Sequence, residues 1–205
     1  MFRKNNDVNS NRRLNRLVKN MRLREQSDKK KILKKINNEE TLTGKCIMAR
    51  EYLSPQSTDM ENLCKKDLGI GKSQNNMSGD GCKNGINYEI KISVHAKESK
   101  INFVQIRPDH AIDYYILIAY NMYDNLNVGK GYIFKVPSDE IYNLVVKYGG
   151  YAHGTITKQG KITLDSIKGN GYEYALRCNP NKKGKNGELW EELLKYETTY
   201  LDSNF

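Results

Sequence analysis

Two acidic residues and a lysine stand on either side of a short turn in this chain. The dipeptide Asn84-Gly85 separates two strand-like segments, and it is the strongest short-range signal for a β-hairpin. A two-residue turn at this point brings Asp80 directly opposite Glu89. Lys91 follows on the same face as Glu89, because side chains alternate along a strand with a period of two. The sequence therefore predicts that two carboxylates and one ammonium group converge.

This group of charges suits metal-dependent hydrolysis of a phosphodiester. Adjacent carboxylates repel each other unless a cation compensates them, and Mg²⁺ uses one or two carboxylates while it keeps waters and a phosphate. A lysine beside them can hold the scissile phosphate and polarise the attacking water. We therefore expect Asp80 and Glu89 to bind Mg²⁺, with Lys91 as the third catalytic residue and no organic cofactor. The alternative is a solvated hairpin with ordinary surface charges.

The spacing of these residues resembles a known motif. Asp80, eight intervening residues and then Glu89-Ile90-Lys91 in a strand are similar to the PD-(D/E)XK nuclease superfamily, most of all to its type II restriction endonucleases. The resemblance covers about residues 57–121. The chain departs from the motif at Gly79, where the family often has proline. A literal Pro108-Asp109 also occurs, but no acid-x-Lys triplet follows it at a useful spacing.

The resemblance implies an α/β fold with a restriction-endonuclease-like core, in which helices flank a mixed β-sheet. It also implies an Mg²⁺-dependent endonuclease that hydrolyses double-stranded DNA, most simply as a homodimer on a palindromic site. A helix before the motif often supplies a further acid in this family, and Glu61 is the matching metal ligand unless it is a solvated helix carboxylate. Ser93 and Gln105 are expected to support the site, although each could equally be an ordinary strand residue.

The surrounding segments predict the elements that position the site. Residues 113–121 are apolar on both faces, as a central, doubly covered strand should be. Apolar periodicity and capping residues predict helices at 9–36, 39–53 with an interruption near Thr43-Gly44, 57–68, 138–148 with Ser138 as its cap, and 188–200. Further strands are predicted at 101–107, 132–136, 161–165 and 172–177. Strands interspersed with helices indicate an α/β core.

The positive charge of the chain is confined to its beginning. Residues 1–37 contain thirteen Lys or Arg and three acidic residues, so they hold the entire net charge of +10. Such a segment is typical of one that lies along phosphates, and a solubilising tail is the alternative. We therefore divide the chain into a basic helical extension, residues 1–38, and a nuclease domain, residues 39–205. The extension residues expected to contact DNA are Arg12, Arg13, Arg16, Lys19 and Arg22.

Two glycine-containing loops between about residues 148 and 185 are predicted to read the DNA sequence. Residues 148–155 combine three glycines with tyrosine, histidine and threonine side chains, and a tight turn is the alternative interpretation. Residues 177–185 form a second, basic loop, in which Arg177 is the expected reader of guanine. Phosphate contacts position a protein on DNA, whereas contacts to base edges specify the sequence. The expected contacts are Tyr151, His153, Thr155, Lys158, Arg177, Lys182 and Lys183.

The composition argues against several other classes of protein. The four cysteines contain no C-x-x-C pair and the three histidines show no ligand spacing, so a zinc site is not expected. No segment approaches the ~18 apolar residues of a membrane span, and no signal peptide is recognisable, so we expect a cytoplasmic protein without a membrane partner. Two alternative functions remain open. One is a structure-selective DNA repair or junction-resolving nuclease, and the other is a non-catalytic DNA-binding protein of the same fold.

Overall fold

The computed structural model describes residues 24–55, 57–95, 99–124, 129–152 and 160–200. The chain divides into two units, Met1–Glu39 and Glu40–Phe205. In the first unit, helix α1 covers residues 24–38, and residues 24–31 are all exposed. The predicted helix at 9–36 is therefore seen in its second half. The five predicted DNA contacts of the extension lie outside the described residues; they are Arg12, Arg13, Arg16, Lys19 and Arg22.

The second unit is a mixed α/β structure with two sheets. Its helices are α2 (Leu42–Tyr52), α3 (Asp59–Asp67), α4 (Ser138–Tyr148) and α5 (Lys185–Leu194). Its strands are β1 (Gly81–Lys83), β2 (Ile86–Ser93), β3 (Ile101–Ile106), β4 (Tyr114–Asn121), β5 (Lys130–Pro137), β6 (Gly150–Tyr151) and β7 (Tyr174–Cys178). The first sheet has the order β1-β2-β4-β5, with β2 parallel to β4 and the other pairs antiparallel. The second sheet, β3-β7-β6, is antiparallel.

The β1–β2 hairpin has the predicted turn and register. Asn84 and Gly85 have φ angles of 54° and 81°, the left-handed values that a type I′ turn requires at both central residues. Gly81 pairs with Tyr88, as expected for a two-residue loop. The period-two pattern of β2 is therefore fixed relative to β1.

Strand β4 lies at the centre of the first sheet and is covered on both faces, which confirms its prediction from an unbroken apolar run. Tyr115 and Leu117 pack with α4, α5 and the second sheet in one apolar cluster. Ile116 and Ile118 pack with α2, α3 and the apolar face of β2 in the other. The first sheet is thus enclosed between the second sheet with α4 and α5 on one side and α2 with α3 on the other.

Two predicted helix starts were wrong in detail. Helix α2 is not interrupted at Gly44, because Thr41 is its N-cap and accepts a hydrogen bond from Gly44 N at 3.0 Å, which places the glycine in the first turn. Ser138 does not cap α4, because its hydroxyl donates instead to the carbonyl of Ile112. The Thr41 hydroxyl thus sets the start of α2, and the Ile112 carbonyl draws the Ser138 hydroxyl away from the end of α4.

The predicted strand at 161–165 and the predicted end of the last helix were also wrong. Residues 161–165 form no strand, because Thr163 and Ser166 exchange side-chain and backbone hydrogen bonds in a turn. The last helix ends at Leu194 rather than at residue 200. Beyond it the chain runs along β5, where Lys135 N donates to Tyr196 O at 3.0 Å. Within the described ranges, no helix is both long and apolar enough to cross a membrane.

Candidate active site

Asp80 lies where the backbone pairing of β1 with β2 ends. Its N–H donates to Tyr88 O at 2.8 Å, which extends the hairpin by one backbone hydrogen bond. Ile90 N then donates to Asp80 Oδ2 at 2.7 Å, so a side-chain oxygen replaces the next backbone acceptor. The carboxylate is therefore held against β2, next to the residue that carries the second carboxylate.

Gly79 has a backbone conformation that proline cannot adopt. Its φ angle is +69°, whereas the ring of proline fixes φ near −65°. A Cβ at this position would also lie 2.5 Å from Tyr88 O, which is too close for any side chain. Only glycine fits the turn that delivers Asp80 to the hairpin, so the missing proline has a local steric cause.

Glu89 and Lys91 share the face of β2 opposite its apolar residues, as predicted. Lys91 Nζ lies 2.5 Å from Glu89 Oε1, and the two side chains are 15% and 5% exposed. Burial raises the pKa of Glu89, and the nearby Asp80 carboxylate raises it further, while Lys91 acts in the opposite direction. Glu89 is thus a buried acid with one cation beside it and one anion across the hairpin.

Glu61 on α3 faces the same group of charges. Burial raises its pKa first, and the carboxylates of Asp80 and Glu89 add to this effect, whereas Lys65 and Lys91 reduce it. Lys65 connects the helix to the hairpin, because its Nζ donates to Asp80 O at 3.0 Å and lies 3.9 Å from Glu61 Oε1. Sequence reasoning missed Lys65, although its i,i+4 spacing from Glu61 was a signal for a contact on one helix face.

The electrostatics of these residues fit a cation held by two carboxylates. Asp80 raises the pKa of both Glu61 and Glu89, which is the repulsion that a divalent ion would relieve. Within the part of the chain that the structure describes, no group of three His, Cys, Asp or Glu residues is arranged to hold a metal ion. Asp80 and Glu89 offer two carboxylates, the number that Mg²⁺ uses when water and phosphate complete its coordination. Glu61 does not form a third member of a preassembled set.

A cleft of about 690 Å³ opens beside Lys91. Glu61 and Lys91 line it together with Gln105 and Asn102 from β3, and residues of α2 and α3 form the opposite wall. Its volume is in the range of cavities that accept small molecules or nucleotides, about 300–1,000 Å³. Lys91 and Glu61 therefore face open space large enough for a substrate segment, whereas Asp80 and Glu89 are not among the lining residues and Glu89 lies buried behind Lys91.

Gln105 enters this cleft because β3 contains a bulge. Regular alternation along the predicted strand 101–107 would place Gln105 on the same face as Phe103. Instead, the register of β3 shifts between Phe103 and Ile106, and Ile106 takes the buried position. Gln105 has a φ angle of +58°, which costs roughly 1–2 kcal/mol for an L-residue. A bulge that redirects a polar side chain beside a site is a common functional device.

Ser93 supports the cleft wall through the backbone. Its Oγ accepts a hydrogen bond from Asn102 N at 3.0 Å, so the hydroxyl joins β2 to the start of β3. This contact holds Asn102 in the wall of the cleft. Ser93 itself does not line the cleft.

Two charged residues that follow β3 are held by the segment before β7. Arg107 acts on Glu89 by lowering its pKa, and its Nε and Nη2 atoms lie 2.8 and 2.7 Å from Glu173 Oε1. The carboxylate of Asp109 accepts the backbone N–H groups of Gly169 and Gly171, which lower its pKa. The literal Pro108-Asp109 dipeptide therefore anchors a loop.

The predicted recognition residues lie at different places. Tyr151 packs against Tyr172 and Tyr174, with ring centroids 6.0 and 5.4 Å away, and it joins the rim of the core. Arg177, Lys182 and Lys183 are exposed. The other three, His153, Thr155 and Lys158, fall outside the residues that the structure describes.

Comparison of the chain with protein-family models, with curated proteins and with solved structures found no significant match.

Proposed function

We propose that this protein is an Mg²⁺-dependent endonuclease that hydrolyses phosphodiester bonds of double-stranded DNA, with a PD-(D/E)XK site like that of type II restriction endonucleases. One observation carries the proposal: Asp80 is held across the hairpin beside Glu89, and Lys91 lies 2.5 Å from Glu89 at the mouth of an open cleft. A site-specific enzyme of this kind is proposed to act as a homodimer, so that protein and DNA share a twofold axis.

Each residue has a role that follows from its position. Mg²⁺, when bound, neutralises charge on the phosphate and lowers the pKa of a water. Asp80 would hold it through Oδ1, because Oδ2 accepts the hydrogen bond from Ile90 N. Glu89 would hold it through a carboxylate whose pKa is raised mainly by burial and further by the charge of Asp80, so that a cation there would favour its ionised form. Lys91 would donate to a phosphate oxygen and stabilise the charge that develops there.

A second candidate function is a non-catalytic DNA-binding protein of the same fold. The direct ion pair favours it, because Lys91 already compensates the charge of Glu89 in the described structure. The two functions differ in what the ion pair does: a nuclease needs Lys91 at the phosphate, whereas a binding protein keeps Lys91 on Glu89 as a structural contact. Cleavage therefore separates them.

The test is a plasmid digest with Mg²⁺, followed by sequencing of the fragment ends, beside a DNA gel shift. Wild type should cut, and Lys91→Met should bind DNA without cutting. Lys130→Met is the matched control, because it removes a lysine from the ion pair with Glu197 at the opposite edge of the sheet, and it should cut normally. Defined fragment ends indicate a site-specific enzyme, whereas cleavage only at branched or damaged DNA indicates a repair or junction-resolving nuclease. Uncut plasmid under all conditions refutes the proposal.

A further inference from the structure

A second cavity, of about 350 Å³, lies beside the β3–β7 pair. Its polar lining consists of three cationic side chains and three carboxamides, and none of the described residues that line it is acidic; these six are Lys100, Arg177, Lys182, Asn102, Asn179 and Asn186. We refer to it as the basic cavity. All six side chains are hydrogen-bond donors and three are cations, so the cavity favours an anion with several acceptor oxygens.

The loop that forms one side of the basic cavity is fixed by its own backbone. Asn179 N donates to Asn186 O at 3.1 Å, and Lys182 N donates to Asn179 O at 3.1 Å. Gly187 is packed so closely that a Cβ there would overlap Lys182 O. Lys182 is therefore held next to the start of α5, whose N-terminal N–H groups add partial positive charge on the same side.

The basic cavity adjoins the cleft of the candidate active site. Asn102 lines both, and it pairs with Arg177 across β3 and β7. Ser93 fixes the backbone of Asn102 to β2, the strand that carries Glu89 and Lys91. A chain of phosphates that enters the cleft at Lys91 therefore meets a second cationic position at Arg177 without leaving the surface.

We propose that the basic cavity binds a second phosphate group of the DNA whose scissile phosphate lies at Lys91. This inference rests on the proposed nuclease function and extends it. Arg177 and Lys182 contact the DNA backbone, with Arg177 offering the paired donors that match phosphate oxygens. It assigns Arg177 to positioning the DNA rather than to reading guanine, since phosphate contacts carry no sequence information.

The experiment measures binding of short duplexes in EDTA, where no cleavage occurs, with one phosphate at a time replaced by a neutral methylphosphonate. Wild type should lose affinity about tenfold or more at one position near the cleavage site, as expected for a hydrogen bond to a charged group. Arg177→Gln and Lys182→Gln should each bind the unmodified duplex more weakly and lose part of the sensitivity to neutralisation at that position, and the double variant should lose nearly all of it. Each should also lower the log-log salt slope by about 0.9.

Lys195→Gln is the charge-matched control, because Lys195 follows the other end of α5, and it should leave the sensitivity to that phosphate unchanged. Circular dichroism establishes that each variant is folded, and Lys182→Gln, in an exposed loop, carries the test if Arg177→Gln is not. If wild type cuts DNA but both variants keep its phosphate sensitivity at every position, the inference is refuted and the nuclease function stands. If wild type neither binds nor cuts DNA, the proposed function fails and the inference fails with it.

Discussion

Replacing Asp80 with asparagine separates the charge of this side chain from its structural contact. Asparagine retains an oxygen that can accept the hydrogen bond from Ile90 N, whereas alanine leaves that N–H without an acceptor. Asparagine also removes the negative charge that raises the pKa of Glu89 and Glu61. The two variants therefore have different expected effects on the stability of the protein without metal.

The magnitudes follow from these two contributions. A buried N–H that loses its acceptor costs about 1–3 kcal/mol, so Asp80→Ala should lower the free energy of unfolding in EDTA by that amount. Asp80→Asn should leave it within about 1 kcal/mol of wild type or raise it, because a repulsive charge is gone. A ligand at 100 times its Kd stabilises the folded state by about 2.7 kcal/mol, and Mg²⁺ should give wild type a gain of this order. Both variants should lose most of that gain.

Urea denaturation followed by circular dichroism measures the free energy of unfolding of wild type and of both variants, in EDTA and in excess Mg²⁺. A plasmid digest measures activity. Glu40→Gln provides a control for removing one exposed acid in the same unit. The reasoning is refuted if Asp80→Asn gains as much stability from Mg²⁺ as wild type does. It is equally refuted if asparagine and alanine destabilise the protein to the same extent in EDTA, since the hydrogen bond to Ile90 would then contribute nothing.

Three further predictions concern pH, the bulge and the basic extension. In EDTA, the free energy of unfolding should fall as the pH rises above the ordinary glutamate pKa of 4.5, because the folded state binds the proton of Glu89 more tightly than the unfolded state does. The decrease should level off beyond the raised pKa of Glu89. Glu89→Gln should remove this dependence on pH. Gln105→Gly should raise the free energy of unfolding by about 0.5–1 kcal/mol and Gln105→Val should lower it, as measured by urea denaturation, because only glycine adopts φ +58° freely. Deleting residues 1–37 should flatten the salt dependence of DNA binding by about 0.9 per lost phosphate contact, and an unchanged slope would identify the segment as an inert tail.

The hairpin was predictable because its geometry is local. Asn84-Gly85 fixes a turn type, the turn fixes the register, and the register places Asp80 beside Glu89 and Lys91. The central strand β4 was predictable for a similar reason, since its unbroken apolar run requires cover on both faces. In these segments neighbouring residues along the chain contain nearly all the determinants of the structure.

The rest of the site depends on contacts between distant segments. The basic cavity joins β3 to β7 and the loop before α5, and no periodicity in the sequence shows that Asn102 faces Arg177. Arg107 meets Glu173 by the same long-range pairing. The bulge at Gln105 could not be predicted from alternation, because the pattern of apolar and polar residues does not show where a strand contains an extra residue. Only the pairing with β7 shows the shift in register.

The position of Asp80 before β1 also bears on the tendency of the protein to aggregate. Since β1 begins only at Gly81, none of the described strands pairs with the outer side of β2 beyond Tyr88. An uncovered strand edge is a template for pairing with another molecule, and natural proteins protect such edges with charges, lysine above all. Lys91 and Glu89 stand on this stretch of β2, so variants that neutralise both should be prone to edge-to-edge aggregation. A lower yield of soluble protein from these variants would then result from association of folded molecules and not from unfolding.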